Sequence, residues 1–197
     1  MVSDDKVDSG RRHFLTVATT VTGVVGAVAA AAPFILSLKP SARTQALGAP
    51  VEADVSKLEP GARMIVEWRG KPVWIIRRTP EMLASLSKYD SLLKDPNSED
   101  PNSLQPSYAQ NADRAINPEF LVLIGVCTHL GCSPEFRPQP AADINSGGFL
   151  CACHGSKFDL SGRVYKGVPA PTNLPVPAYR FIGPSNILIG DDTGVAA

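Results

Sequence analysis

The chain has 197 residues, which is enough for one domain with a sizeable core plus an accessory segment. Its 19 basic and 19 acidic residues cancel, and this balance argues against a nucleic-acid-binding protein, because phosphate backbones are bound by a basic excess. The 18 prolines and 16 glycines favour many turns and short strands.

Residues 1–13 form a polar N-terminus that contains the twin arginine Arg11-Arg12, followed directly by His13, Phe14 and Leu15. This pattern resembles the twin-arginine signal, which directs the export of proteins that have already folded and taken up a cofactor. We therefore expect this segment to begin in the cytoplasm and to serve as an export signal.

No charged residue occurs in residues 14–38, which we assign to a single-pass transmembrane anchor. As a helix rising about 1.5 Å per residue, this span exceeds the roughly 30 Å hydrocarbon core of a bilayer. A cleaved signal is the alternative, but its apolar core is usually only about 7–15 residues long. The flanking charges weakly favour a cytoplasmic N-terminus and a periplasmic head on a bacterial inner membrane, where disulfides are permitted.

Residues 39–50 are small and polar, and we interpret them as a flexible neck. Residues 51–197 form the head, whose apolar runs predict short strands and a mainly antiparallel β structure. The strand-like runs are "VEADV", "ARMIVEW", "PVWIIRR", "EFLVLIGV", "GGFL", "VPAYRFI" and "NILIG". A turn is predicted at "RGKP" (69–72), and "SKFDLSGRVYK" predicts a hairpin with its turn at Ser161-Gly162.

Two segments of the head interrupt the strand pattern. "TPEMLASLSKYDSLL" carries apolar residues at helical spacing after a proline and predicts a short helix. Residues 94–113 are rich in Pro, Asn, Ser and Asp without periodicity, which predicts a long surface loop. We interpret this loop as a tolerated insertion in preference to a segment that docks a partner.

All four cysteines and two of the three histidines lie in two short stretches, "CTHLGC" (127–132) and "CACHGS" (151–156). Both stretches follow strand-like runs, so we expect two loops at strand ends. Such a concentration indicates a metal site, a disulfide or both. Cys151 and His154 are spaced to converge on one metal site, whereas Cys153 is not expected to share a metal with the adjacent His154.

Cysteine and histidine together occur in several kinds of functional site, and the spacing of these residues excludes some of them. Covalent haem attachment and thioredoxin-type redox chemistry both need Cys-x-x-Cys, whereas only Ala152 separates Cys151 from Cys153. A nucleophilic cysteine would leave the other matched residues unexplained. A structural zinc site with two Cys and two His remains open, although it does not explain the spare cysteine in each stretch.

The two stretches resemble those of the Rieske iron–sulfur family, and the resemblance extends over the anchor, neck and head. In that family two Cys bind one iron of a [2Fe–2S] cluster and two His bind the other. The resemblance implies that Cys127 and Cys151 bind one iron, and that His129 and His154 bind the second. It also implies an antiparallel Rieske-type β-sandwich head with a small cluster-binding subdomain at about 125–172.

The remaining cysteines, Cys132 and Cys153, match the disulfide of this family. Together with an N-terminal anchor, that disulfide is typical of the quinol-oxidising branch, and the chain most resembles the Rieske subunits of proteobacterial cytochrome bc complexes. "GVPAPTNLPVP" (167–177) is similar to the proline loop that packs over the cluster in this family.

Residues next to the ligands carry further expectations from the resemblance. Gly155 lets the backbone approach the cluster, and its amide is expected to donate to sulfur, while Ser156 matches a serine that hydrogen-bonds a bridging sulfide. Leu130 is expected to shield the cluster and meet the quinone pocket, with a simple lid role as the alternative. Phe158 stands where many high-potential members have Tyr, and we hypothesise that this lowers the potential by tens of millivolts, plain core packing being the alternative.

The implied function is electron transfer from quinol to a c-type cytochrome, coupled to proton translocation. The catalytic residues would be His154 and His129, with His154 at the quinol, and the partners would be cytochrome b and a c-type cytochrome in a dimeric complex. Two alternatives remain: a Rieske small subunit of another exported oxidoreductase, such as an arsenite oxidase, and a zinc-stabilised adhesion or scaffold domain.

Overall fold

The computed structural model describes residues 8–142, 144 and 146–195. The chain divides into two compact units, Met1–Ala46 and Leu47–Ala197. The first contains the long N-terminal helix, and the second contains every strand found among the described residues.

Helix α1 (Ser9–Ser37) begins where the side chain of Asp8 accepts hydrogen bonds from the backbone N–H groups of Gly10 and Arg11. Its threonine hydroxyls donate to backbone carbonyls one turn earlier, as Thr16 does to Arg12 at 2.8 Å. These bonds satisfy polar side chains within the helix itself, as an apolar environment requires. The helix is long and apolar enough to cross a membrane by length and composition.

The segment predicted as a neck contains a second short helix, α2 (Ala42–Gly48). Its side chains are exposed, and it has no buried residue. The segment therefore has local helical structure, and its flexibility stays a prediction.

The described residues of the head form three antiparallel sheets of three strands each, in the orders β1-β9-β8, β2-β3-β4 and β5-β6-β7. The strands are β1 (Val51–Asp54), β2 (Arg63–Trp68), β3 (Lys71–Arg77), β4 (Phe120–Ile124), β5 (Glu135–Arg137), β6 (Gly148–Cys151), β7 (Ser156–Phe158), β8 (Tyr179–Phe181) and β9 (Asn186–Ile189). Helix α3 (Pro80–Leu86) and two 3₁₀ helices, Ser87–Leu92 and Ser107–Ala109, complete the described elements. The mainly antiparallel β prediction is confirmed, and β5 is a strand that the sequence did not predict.

Strands β3 and β4 form the centre of the core. Their apolar runs are buried on both faces, which explains why they do not alternate with polar residues. The predicted turn between β2 and β3 is confirmed: Arg69 and Gly70 both have positive φ, as a two-residue hairpin turn requires. Because β4 ends at Ile124, it delivers the chain directly into the first cysteine loop.

The third sheet carries the second cysteine loop. β6 ends at Cys151, and β7 begins at Ser156, so the intervening residues form the turn of a hairpin. In this register Cys151 pairs with Ser156, and Phe149 pairs with Phe158. The hairpin thereby fixes both ends of the "CACHGS" stretch.

The prediction of a long surface loop over residues 94–113 is wrong in one respect. Ser98 and Ala109 are fully buried, as is Arg114 immediately after the segment. Arg114 donates to the carbonyls of Ser161, Gly162 and Leu174, which belong to the chain after β7. The segment therefore lies mostly at the surface, as predicted, but it packs inward at Ser98, Ser103 and Ala109.

Three arginines are buried in the head beside this segment. Burial disfavours the charged form and lowers the pKa of Arg78 to about 10 and that of Arg114 to about 9. Arg163 pairs with the buried Asp159 at 2.7 Å and with Asp90 at 3.0 Å. Since Arg163 and Asp159 directly follow β7, their ion pair anchors the hairpin that carries the second cysteine loop.

Candidate metal centre

The two cysteine loops lie against each other and are joined by a disulfide between Cys132 and Cys153. This is the pairing that the family resemblance implied, and it is confirmed. The first loop turns tightly, because the Cys127 N–H donates to the Cys132 carbonyl at 2.7 Å and the Gly131 N–H donates back to the Cys127 carbonyl at 3.0 Å. The disulfide therefore connects two stretches that are each folded into a compact turn.

The other two cysteines, Cys127 and Cys151, are free thiols with exposures of only 3% and 2%. The pKa of Cys127 is raised, chiefly because burial disfavours the thiolate. The His129 backbone N–H and the Ser156 hydroxyl hydrogen-bond to this thiol and act in the opposite direction, while the neighbouring Cys151 thiol raises the pKa further. Two sulfurs thus face each other at the inner side of the loops.

The two histidines lie towards solvent. His129 is half-buried and His154 is exposed, and their ring centroids are 4.8 Å apart with the rings perpendicular. Together, Cys127, Cys151 and the two imidazoles give an inner pair of sulfur donors and an outer pair of nitrogen donors.

A second combination of sulfurs is also close. The sulfurs of Cys132, Cys151 and Cys153 lie within 4.8 Å of one another. Two of these three are joined in the disulfide, however, and a disulfide sulfur is not a thiolate ligand. The donor set that remains, two thiols and two imidazoles, fits a Rieske cluster, and by ligand type alone it also fits zinc.

Ser156 and Gly155 lie next to the candidate metal-binding side chains, and both were expected to hydrogen-bond to sulfur. Ser156 is fully buried, and its Oγ accepts a hydrogen bond from the Ala170 N–H at 3.0 Å, so its own proton remains free to donate towards the sulfurs. Gly155 has φ +74°, as a glycine-favouring turn requires, but its N–H donates to the Cys151 carbonyl at 2.9 Å. Donation from this amide to a cluster sulfur stays a prediction.

The proline loop, residues 167–177, packs against both cysteine loops. In the first cysteine loop, the Thr128 hydroxyl donates to the Thr172 carbonyl of the proline loop at 2.8 Å. At the second cysteine loop, the Ala170 N–H of the proline loop donates to the Ser156 hydroxyl. Thr128 and Ala170 were not singled out from the sequence, because nothing in their spacing marks a contact between segments so far apart along the chain.

Two further predicted residues have clear positions. Leu130 is 72% exposed at the outer side of the first loop, where its side chain is free to meet a partner. Phe158 is fully buried in the core cluster that includes Cys127 and Cys151. Core packing thus accounts for Phe158, and the roles of both residues in the reaction stay predictions.

The sequence matches two family descriptions. Residues 105–180 match "Rieske [2Fe-2S] domain", and residues 1–41 match "Ubiquitinol-cytochrome C reductase Fe-S subunit TAT signal". The ubiquinol-cytochrome c reductase iron-sulfur subunit of Allochromatium vinosum is 56% identical over 199 residues, covering 99% of this chain and 95% of that protein. The chain belongs to the family of ubiquinol-cytochrome c reductase iron–sulfur subunits. The subunit of Blastochloris viridis, 43% identical over 197 residues, is matched over the full length of both chains.

Membership of the Rieske family decides between the two metals that the donors allow. The chain carries a [2Fe–2S] cluster and is the electron-transfer subunit of an oxidoreductase. The twin-arginine match and the apolar helix α1 fit a membrane-anchored bacterial subunit. The predictions of family, fold class, cofactor and general function are confirmed.

Proposed function

We propose that Cys127 and Cys151 bind one iron of the cluster and that His129 and His154 bind the other. The observation that carries this assignment is the arrangement of two buried free thiols beneath two outward-facing imidazoles, in a chain of the Rieske family. The disulfide removes the other two cysteines from consideration as ligands.

We infer that the subunit takes one electron from quinol and passes it to a c-type cytochrome. A [2Fe–2S] cluster with two imidazole ligands supplies a one-electron acceptor at about −150 to +300 mV, against about −400 mV for plant-type ferredoxins with four cysteines. The protein contributes two different environments for this acceptor. The sulfur donors are shielded from water, and the imidazole edges face the side from which a partner can approach.

His154 is proposed to take up the proton that leaves quinol with the electron. It is exposed, whereas His129 is half-buried, so the ring nitrogen of His154 that is not bound to iron is the more accessible of the two. Leu130, exposed beside His129, is proposed to contact the quinol-binding partner. These placements support a reaction at the outer tip of the two loops.

The partners follow from the same role. We propose that the chain assembles with cytochrome b and a c-type cytochrome in a dimeric complex, with α1 as a single-pass anchor in the bacterial inner membrane and the head in the periplasm. The disulfide supports this location, because the periplasm is oxidising. The neck, residues 39–50, would let the head reach both redox partners.

The ligand assignment is tested by replacing each histidine of the full-length chain by alanine. We expect His129→Ala and His154→Ala to lose the bound iron, about two atoms per chain in the native protein. The matched control is His13→Ala, which removes the third histidine, in α1, and should keep the full iron content. A His154→Ala protein that retains both irons and the native spectrum would contradict the assignment.

The redox role is tested separately in membranes that contain the assembled complex. Replacing the native subunit by His154→Ala should abolish quinol-dependent reduction of cytochrome c, while His13→Ala leaves it unchanged. Arsenite-dependent reduction in place of quinol-dependent reduction would instead favour the alternative oxidoreductase.

A further inference from the structure

Trp74 of β3 lies between the two chain segments that lead to the buried cysteines. It is 1% exposed. Its indole lies so close to the backbone of Gly125 that a Cβ on that residue would overlap the ring. The indole also stacks on Phe149, with ring centroids 5.2 Å apart and an angle of 16° between the planes.

The two residues that Trp74 contacts lie at the same distance along the chain before the two buried cysteines. Gly125 is two residues before Cys127, and Phe149 is two residues before Cys151. Both contact points are held by the sheets: the Gly125 N–H donates to the Pro72 carbonyl at 2.8 Å, and Phe149 is paired within β6. One rigid side chain therefore touches both segments just before each delivers its thiol.

We propose that Trp74 is a positioning residue that sets the separation of the Cys127 and Cys151 sulfurs, and thereby the geometry of the iron site they form. The inference rests on the ligand assignment proposed above. Protein interiors are close-packed and relax only partly around a lost group, so a smaller ring at Trp74 leaves a gap between the two segments. The thiols can then move relative to each other without unfolding of the head.

A plain core role for Trp74 predicts a different result, and the chain offers a matched control. Its other tryptophan, Trp68, is 8% exposed on the neighbouring strand β2 and packs in the same way against a glycine, Gly190. Each indole also has an arginine over its ring, Arg63 at 4.9 Å for Trp74 and Arg69 at 4.3 Å for Trp68. Gly190, however, is far along the chain from both cysteine loops and follows β9.

The experiment compares Trp74→Phe with Trp68→Phe in the full-length, cluster-loaded protein. The readouts are the EPR spectrum of the reduced cluster, its midpoint potential, the rate of iron release at a fixed temperature below unfolding, and the unfolding midpoint. We expect both variants to unfold at lower temperature. Only Trp74→Phe should change the EPR line shape and potential, and it should release iron about tenfold faster than Trp68→Phe, because its gap lies between the ligand segments.

A second variant approaches the same contact from the other side. Gly125→Ala pushes a methyl group towards the indole and should also alter the EPR spectrum. Combining it with Trp74→Phe makes room for the methyl group, so the double variant should be closer to the native spectrum than Gly125→Ala alone. This rescue does not depend on how well Trp74→Phe folds by itself.

The outcomes separate the two proposals. If Trp74→Phe keeps the native spectrum and releases iron at the rate of Trp68→Phe, or if the double variant is no closer to native than Gly125→Ala, the positioning role is overturned. If the native protein itself shows no nitrogen-ligated cluster, or if His129→Ala and His154→Ala retain it, the ligand assignment fails regardless of Trp74.

Discussion

Replacing Cys132 and Cys153 together by serine removes the covalent link between the two cysteine loops. The bond joins residues separated by 21 positions. In the chain-entropy treatment, a loop of this size restricts the unfolded state by about 11 cal/mol/K, or about 3 kcal/mol at 25 °C. This is a large share of the roughly 5–15 kcal/mol by which a typical domain is stable.

The change should appear as a lower thermal midpoint of the head. For a domain of this size each kcal/mol corresponds to about 2–4 °C, so we expect a decrease of about 6–12 °C at a fixed scan rate. Far-UV circular dichroism reports unfolding of the sheets, and absorbance of the cluster reports its loss. Both signals should shift to lower temperature. Cluster loss should precede unfolding of the sheets, because the disulfide lies within the metal centre.

The control is the double variant Ser133→Ala/Ala152→Ser, which changes an exposed residue next to each cysteine and keeps the disulfide. Its midpoint should stay close to that of the native protein, because exposed substitutions are usually within about 0.5 kcal/mol of neutral. A double-serine variant whose midpoint equals that of this control would refute the view that the disulfide stabilises the two loops.

Three further predictions follow from particular residues. Phe158→Tyr should raise the midpoint potential by about 20–65 mV. The reason is that a hydrogen bond from the added hydroxyl to a ligand sulfur, with a net strength of about 0.5–1.5 kcal/mol, favours the reduced, more negative cluster. A potentiometric titration that gives an unchanged or lower potential would contradict this prediction. Arg163→Met should destabilise the head by about 3–5 kcal/mol in thermal unfolding, because it leaves Asp159 buried without its cation. The control Arg180→Met breaks a partly exposed ion pair with Asp191 and should cost about 1 kcal/mol or less. Several prolines introduced into residues 39–50 would interrupt α2 (Ala42–Gly48) and should slow quinol–cytochrome c turnover without moving the potential. Unchanged turnover would argue that electron transfer does not depend on the conformation of the neck.

The parts of the fold that were predicted correctly depend on local chemistry. The continuous apolar run of β4 and the turn at Arg69-Gly70 are visible in a few neighbouring residues. Strand β5 was missed because its three residues, Glu135–Arg137, form a strand only through pairing with β6. Arg114 was missed for a similar reason: its charge suggests exposure, and only carbonyls brought together by the tertiary fold can satisfy it in the core.

The candidate site shows the same division. The donor types and their spacing in "CTHLGC" and "CACHGS" are local, and the family resemblance supplied the pairing of Cys132 with Cys153. The contact of Thr128 with Thr172 joins residues 44 positions apart and leaves no trace in either segment. The hydrogen bond from the Gly155 amide to the Cys151 carbonyl was likewise not predicted, because it depends on the turn between β6 and β7.

The central claim, that two imidazoles and two thiolates of this chain hold one [2Fe–2S] cluster, is tested most directly by pulsed EPR of the reduced full-length protein labelled with ¹⁵N-histidine. The account predicts couplings from two inequivalent histidine nitrogens, with the cluster lost in His129→Ala and His154→Ala and both couplings retained in His13→Ala. An iron–sulfur signal without histidine nitrogen coupling, or a colourless protein that contains zinc, would contradict it.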